Sequence, residues 1–246
     1  VESAPAARIE LRYIDPGAFE MGSDADEAGR RATEDRRLVR IEQPFWIMRT
    51  ELTRGMYAAI GGESVELESA DLPLTGLTLD DARAIASLLT ERASGTFSVP
   101  TEAQWEYACR ADRDGAPAET SLRDQAWWLG TSEARLRPVG RLSSNPWGLV
   151  DTLGNAAELV VAPGLGHGDQ VTMTRGGSYL SPQAAVRPAA RHELVPRDRG
   201  DSRTGERFIW RPDGAAAASL HGLAPLLDPL LAALVAVAAN APAEDE

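Results

Sequence analysis

Apolar residues are spaced differently in different parts of the chain, and the spacing predicts distinct kinds of segment. From Ile9 to Met21 they alternate with polar residues, the period-two pattern of half-buried strands. Asp15-Pro16-Gly17 breaks the alternation with turn residues, so a strand pair is predicted there. Phe45-Trp46-Ile47-Met48 is an unbroken apolar run, expected of a buried strand. Between them, Ser23 to Arg40 is densely charged and expected outside the core. Two helices are signalled by caps as well as by periodicity. Thr78 with Asp81 three residues later opens a segment in which Leu79, Ala82, Ile85, Ala86 and Leu89 share a face. Pro100-Thr101-Glu102-Ala103-Gln104 is a capping box ahead of Trp105, Tyr107 and Ala108. Beyond Arg110 the apolar pieces (126–129, 147–150, 159–162, 171–173) are short and separated by Gly, Pro, Asn and Ser. That profile predicts a long loop-rich region pinned by a few strands and aromatic anchors. The fold class is α+β, with two main helices and no internal repeat.

The C-terminal pattern is different again. Leu226 to Ala239 is apolar except for Asp228 and Pro229. The uninterrupted part, from Leu230, spans about 15 Å as a helix, against a hydrocarbon thickness of ~30 Å. It is too short to cross a membrane. Asp228 as N-cap and Pro229 at the first helical position predict a helix over 229–239, buried or partner-facing, which would be the docking element if the chain is part of a larger assembly. Residues 243–246 form an acidic tail and the first seven residues a linker, leaving 8–214 as the folded domain. The chain begins at Val1, which suggests a processed or excised polypeptide.

Composition narrows the function classes. With 246 residues and 43% hydrophobic content the chain can bury one sizeable core. A formal charge of −12 opposes both nucleic-acid phosphates and anionic membrane surfaces as partners. All 25 basic residues are arginine, which we ascribe to codon usage. Cys109 is the only cysteine, so neither an intrachain disulfide nor a thiolate zinc cluster can form. One cysteine does not decide the compartment.

A series of motifs carries a resemblance. Pro16-Gly17-Ala18-Phe19-Glu20-Met21-Gly22-Ser23, Glu51-Leu52-Thr53 and Leu72-Pro73-Leu74 are followed by Val99-Pro100-Thr101-Glu102-Ala103-Gln104-Trp105-Glu106-Tyr107-Ala108. Pro138-Val139-Gly140, Asn145, Gly148-Leu149, Asp151, Gly154-Asn155, Glu158, Arg175-Gly176-Gly177-Ser178, Arg187 and Arg191 continue in register. Together they resemble the formylglycine-generating enzyme (sulfatase-modifying factor) family from about Ala7 to Ile209. The resemblance implies a C-type-lectin-like α+β scaffold that is largely irregular.

It also implies what chemistry is missing. Oxidase members carry two cysteines shortly after Gly-Gly-Ser that bind copper; here Ser181 and Val186 stand there. Neither is a thiolate for a soft ion, so copper is not expected and formylglycine synthesis is excluded. Iron-dependent members take histidines from a separate domain, whereas His167, His192 and His221 lack helical ligand spacing. Both tryptophans of the family's Gly-Asn-Val-Trp-Glu-Trp motif are absent from Gly154-Asn155-Ala156-Ala157-Glu158-Leu159, and Glu206 replaces the Phe of Gly-Phe-Arg. The resemblance further implies Asn155 and Glu158 as candidate ligands of a structural calcium. Ser178 or Ser181 with His192 and Asp198 contain the residue types of a hydrolytic triad, but no strained elbow accompanies them.

A non-catalytic binding module is therefore the favoured reading, recognising its ligand through the loop region 178–203. Ser178, Ser181, Arg187, Arg191 and Arg197 are the candidate ligand-binding residues, with Arg199 and Arg203 adding to a cationic patch for a protein or acidic peptide. The alternative for these arginines is pairing with Asp198, Asp201 and Glu206 beside them. Two other functions stay open: a diverged metal-dependent oxidoreductase acting with a partner domain, and a structural component of a larger assembly. The variable ligand-binding members of the family are not resembled, since Ser181 to Arg191 contains no Asn or Tyr.

Overall fold

The computed structural model describes residues 8–61, 66–93, 95–117, 119–163, 170–193, 203–212 and 233–236. In chain order the elements are β1 (Arg8–Ile14), β2 (Gly17–Met21), β3 (Arg37–Ile41), β4 (Phe45–Met48), α1 (Arg54–Ala59), α2 (Leu79–Glu91), β5 (Thr96–Ser98) and α3 (Glu102–Arg110). They continue with α4 (Glu119–Gln125), β6 (Ala126–Trp127), β7 (Leu153–Gly154), β8 (Ala157–Pro163), β9 (Gln170–Arg175), β10 (Arg191–Glu193), β11 (Thr204–Gly205), β12 (Ile209–Arg211) and β13 (Ala233–Ala236).

The main sheet has the strand order β13-β1-β4-β12-β5, antiparallel throughout. Its centre explains the unbroken apolar run. Successive side chains of a strand point to opposite faces, and in β4 Trp46 and Met48 pack into one core cluster while Phe45 and Ile47 pack into another. The first cluster is closed by Ala82, Ile85, Ala86 and Leu89 of α2, and the second by Tyr107 and Ala108 of α3. Both predicted helices start where their caps place them. The Thr78–Asp81 and Thr101–Gln104 side chains each exchange hydrogen bonds with the partner's backbone.

Three expectations are corrected. β1 and β2 are strands but do not pair with each other: β1 pairs with β4 and β13, and β2 with β3. The turn residues at 15–16 therefore carry the chain from one sheet to another. The end of the charged stretch, from Arg37, belongs to a strand (β3, Arg37–Ile41), and Ser23 and Glu34 of that stretch are buried. Residues 233–236 form a strand on the edge of β1 where a helix is predicted. A short apolar run has no periodicity to separate helix from strand, and an available sheet edge decides it. The rest of 213–246 lies outside the described residues, and two short helices are added, α1, capped by the Thr53 hydroxyl accepting from Met56 N–H at 3.1 Å, and α4.

A second sheet, β10-β9-β8-β11, carries the loop-rich half. It is tied to α3 by Trp105, whose indole N–H donates to Glu158 in β8 at 2.6 Å. Since α3 anchors both sheets, its cap bears on the whole fold. Thr101→Ala is expected to cost about 1 kcal/mol, read as a fall in unfolding free energy by chemical denaturation, with no loss of helix beyond the first turn.

Candidate functional site

β9 ends at Arg175 and the chain reverses through Gly176-Gly177, both in the left-handed region. A Cβ on Gly176 would lie 2.6 Å from the Thr152 carbonyl and one on Gly177 2.8 Å from the Ala185 carbonyl, so the pair is needed to seat the next loop. In that loop the Ser178 N–H donates to Ser181 Oγ at 2.8 Å, Leu180 N–H to Ser178 Oγ at 3.3 Å, and the two hydroxyl oxygens are 3.3 Å apart. The hydroxyls close a turn. Leu129 N–H bonds the Ser181 carbonyl and Tyr179 N–H that of Asn155, so the loop is held at both ends. Val186 is buried, in a cluster with Trp105, Leu122, Leu153 and Cys109. The fold brings the sole cysteine, Cys109, into Val186's own cluster. Burial pushes its thiol up to about 12, so it is not a thiolate at neutral pH. A hydroxyl engaged in a turn, an isopropyl group and a protonated thiol do not fit a copper ion.

Among the described residues of the expected patch, Arg187 and Arg191 are engaged in ion pairs within the chain. Arg187 is buried: Nη1 meets Glu27 and, at 3.1 Å, Glu34, while Nη2 bonds Glu34 at 3.2 Å and the Gly29 carbonyl at 2.8 Å. Arg191 reaches Glu102 at 2.7 Å and the Thr33 carbonyl at 2.9 Å, and Arg31 bonds the Arg191 carbonyl and contacts His192 Nδ1. Their partners are not the neighbouring acids but the β2–β3 connection and α3, at distant positions in the chain. Arg175, absent from the predicted set, joins in by pairing with Glu106, which also holds Arg110. The result is a latch that fastens residues 23–35 over the 184–192 segment. Arg197, Arg199 and Asp198 lie outside the described residues. His192 stands against Arg31, and burial lowers its pKa, an arrangement unlike a general base paired with serine.

Beneath the loop lies a buried acid cluster. Arg207 bonds Glu158 at 2.8 Å and donates to the carbonyls of Met48 and Val150, both at 2.8 Å. Glu51 accepts from Asn155 Nδ2 at 2.9 Å and Ala156 N–H at 2.8 Å. Asp151 accepts from Gly140 N–H at 2.7 Å through one oxygen, and the other has no partner. Glu206 is fully buried, with one oxygen on the Arg207 N–H and the other unpaired. Burial raises Glu51 and Glu206 well above the ordinary carboxylate value and Asp151 to about 6. Nearby Asp151 and Glu158 push Glu51 further, and Arg207 pulls back. The candidate calcium ligands belong to this cluster. Asn155 Oδ1 accepts from Arg137 N–H at 3.0 Å, and both Glu158 oxygens are shared by Arg207 and Trp105. Their polar atoms are committed to protein partners, and no group of three or more His, Cys, Asp or Glu that could hold a metal occurs among the described residues.

Two clefts flank Pro117. One, of about 390 Å³, is walled by Ala28, Ala116, Pro117, Leu122, Ala184 and Val186, with Gln183 and the Glu27–Arg187 pair at its edge. The other, of about 310 Å³, lies between the end of α3 and Pro188, with Asp151 and Thr152 in its wall.

A profile of the sulfatase-modifying factor enzyme 1-like domain matches residues 4–212. The chain belongs to this family. Solved structures share the sulfatase-modifying factor fold. PvdO from Pseudomonas aeruginosa superposes with a TM-score of 0.71 at 23% identity, over 85% of this chain and 99% of its own. Treponema denticola variable protein 1 gives 0.68 at 19%, over 82% and 95%, and CarF gives 0.63 at 19%, over 84% and 99%. No curated protein sequence matches significantly. Within this scaffold no described helix is long and apolar enough to cross a membrane.

Two outcomes follow from the buried charges. Arg187→Ala strands Glu34 and Glu27 and is expected to cost about 3–5 kcal/mol, seen as a lowered thermal midpoint; a loss below about 1 kcal/mol would show the latch to be marginal. Burial favours the neutral form of Glu206, so the folded state binds its proton more tightly than the unfolded chain. Its stability contribution is full below the unfolded value and falls by about 1.4 kcal/mol per pH unit as pH rises toward the folded value. Glu206→Gln should therefore match the parent chain near about pH 4 and exceed it increasingly as pH rises above the unfolded value. A constant difference between the two denaturation series would show that Glu206 does not bury a proton.

Proposed function

We propose that this chain is a non-catalytic ligand- or protein-binding module on the sulfatase-modifying factor scaffold. The binding site is the apolar cleft to which the loop region 178–203 contributes the wall 183–187. What supports the reading is the position of Val186. Where the resemblance implies a metal-binding thiolate, the chain has an isopropyl group that packs into the core on one side and borders the cleft on the other. Its counterpart Ser181 is engaged in a turn with Ser178. No donor set for a redox metal is assembled there, whereas a cleft of about 390 Å³ is within the range that takes small ligands or a partner's side chain.

The lining sets the chemistry of what enters. Six apolar residues, one amide and one internally neutralised ion pair suit a largely apolar group bearing a single hydrogen-bonding function. An acidic peptide finds little to recognise, because Arg187 and Arg191 are already paired with Glu27, Glu34 and Glu102. The test compares the full chain with Ala28→Trp and Ala116→Trp, which fill the cleft from opposite walls. The three proteins are immobilised against the same cell extract, and retained molecules are identified by mass spectrometry. A species lost about tenfold by both variants, with unchanged thermal midpoints, is the expected result; that loss corresponds to about 1.4 kcal/mol of binding. Retention unaffected by either variant would move the site elsewhere. Stoichiometric copper or iron in the purified chain would replace the binding reading with a catalytic one.

A further inference from the structure

The cleft of about 390 Å³ has a hydrogen-bonding side chain to spare. Of its polar lining, Glu27 and Arg187 are paired with each other, and the rest of Arg187 is taken up by Glu34 and the carbonyls of Gly29 and Ala184. Gln183 differs. Its carboxamide has no hydrogen-bond partner among the described residues, although its backbone is fixed. It opens a 3₁₀ turn (Gln183–Ala185) behind Pro182, and its carbonyl accepts from Val186 N–H at 2.9 Å. Ala185 N–H bonds the Pro182 carbonyl at 2.9 Å, and the Arg187 guanidinium holds the Ala184 carbonyl at 2.7 Å. A held turn thus places a half-buried amide in an apolar wall, with its donor and its acceptor both uncommitted.

Such an amide edge is selective. The Nε2–H and Oε1 of glutamine lie side by side, so both are satisfied at once only by a group that also carries a donor and an acceptor on one edge. A primary carboxamide does, and so does a lactam. A trans peptide bond points its N–H and C=O in opposite directions and satisfies only one of the two. A ketone offers an acceptor alone. A carboxylate does the same and leaves its charge unpaired, since Arg187 is already matched by Glu27 and Glu34. An Asn or Gln side chain of a partner protein has the right edge but no apolar body to fill the walls made by Ala28, Ala116, Pro117, Leu122, Ala184 and Val186. Resting on the binding reading above, the geometry points to a small molecule with a primary carboxamide or lactam on an apolar body as the ligand, and to Gln183 as the residue that selects it through a paired hydrogen bond.

The test is an NMR titration of the full chain, and of Gln183→Met and Ala116→Trp, with benzamide, N-methylbenzamide and acetophenone. Acetophenone has the shape of benzamide with a methyl group in place of the amino group, and N-methylbenzamide carries a trans amide. The full chain is expected to bind benzamide about tenfold more tightly than either of the others. Gln183→Met should bring benzamide down to the level of acetophenone and leave acetophenone unchanged, and Ala116→Trp should abolish binding of all three. Equal affinities for benzamide and acetophenone in the full chain, both lost in Ala116→Trp, would overturn the selection by Gln183 and leave the cleft as the binding site. Equal affinities for benzamide and N-methylbenzamide would overturn the paired bond. Binding that survives Ala116→Trp would overturn the cleft reading together with this one. Failure of all three probes to bind the full chain would overturn the carboxamide assignment, while the search for retained molecules in the cell extract would still decide the cleft.

Discussion

One buried cation organises this molecule. The guanidinium of Arg207 joins the main sheet at Met48, the connection before β7 at Val150, and the second sheet at Glu158. Trp105 bonds the same Glu158 and brings α3 into the junction. Removing either partner of such a pair strands a charge in a site where water cannot reach it, which costs about 3–5 kcal/mol. A loop-rich scaffold has few continuous ladders to hold its halves together. A charged hub with fixed directions substitutes for them, because each N–H of the planar guanidinium selects one acceptor on a different element.

The hub also explains where the chain has room to change. Glu51, Asp151, Glu158 and Glu206 surround one arginine, and burial favours the neutral form of Glu51, Asp151 and Glu206. Glu51 and Asp151 keep backbone donors that a neutral acid still satisfies. Glu206 has one such donor and an orphan oxygen. It stands where the family resemblance implies Phe, and the substitution exchanges an apolar anchor for a proton-binding group without disturbing the Arg207–Glu158 bond.

Much of the scaffold was legible because its signals are local. Thr78 with Asp81 and Thr101 with Gln104 state their helix starts within four residues, and the period-two run at β1 and the apolar run at β4 state their strands. Pairing is another matter. Asp15-Pro16-Gly17 reads as a hairpin turn, yet a turn specifies only a change of direction, and the partner is chosen by the faces available on β4. The arginines were misjudged for the same reason. Arg187 finds Glu34 across 153 positions and Glu27 across 160, separations at which neighbouring charges such as Asp198 and Asp201 look like better partners on paper. Position 186 was identified from its spacing after Gly-Gly-Ser, but its role as a cleft wall depends on residues 27–28 and 116–122, which no local pattern connects to it.

The latch bears on function more than the loop it holds. A thiolate pair must face its substrate, so a loop that carries one has to remain open. Here the 184–192 segment is fastened by Arg187 to Glu27 and Glu34, by Arg191 to Glu102 and Thr33, and by Arg31 back to the Arg191 carbonyl. Each contact spends a donor that a ligand would otherwise use. In return, the fastening fixes both sides of the apolar cleft, since residues 27–28 on one wall and 183–187 on the other are joined through the Glu27–Arg187 pair. A preformed cleft loses less conformational freedom when it is filled. On the proposed binding reading, Arg187 therefore contributes by holding the shape of the cleft, and the selecting falls to apolar contact inside it.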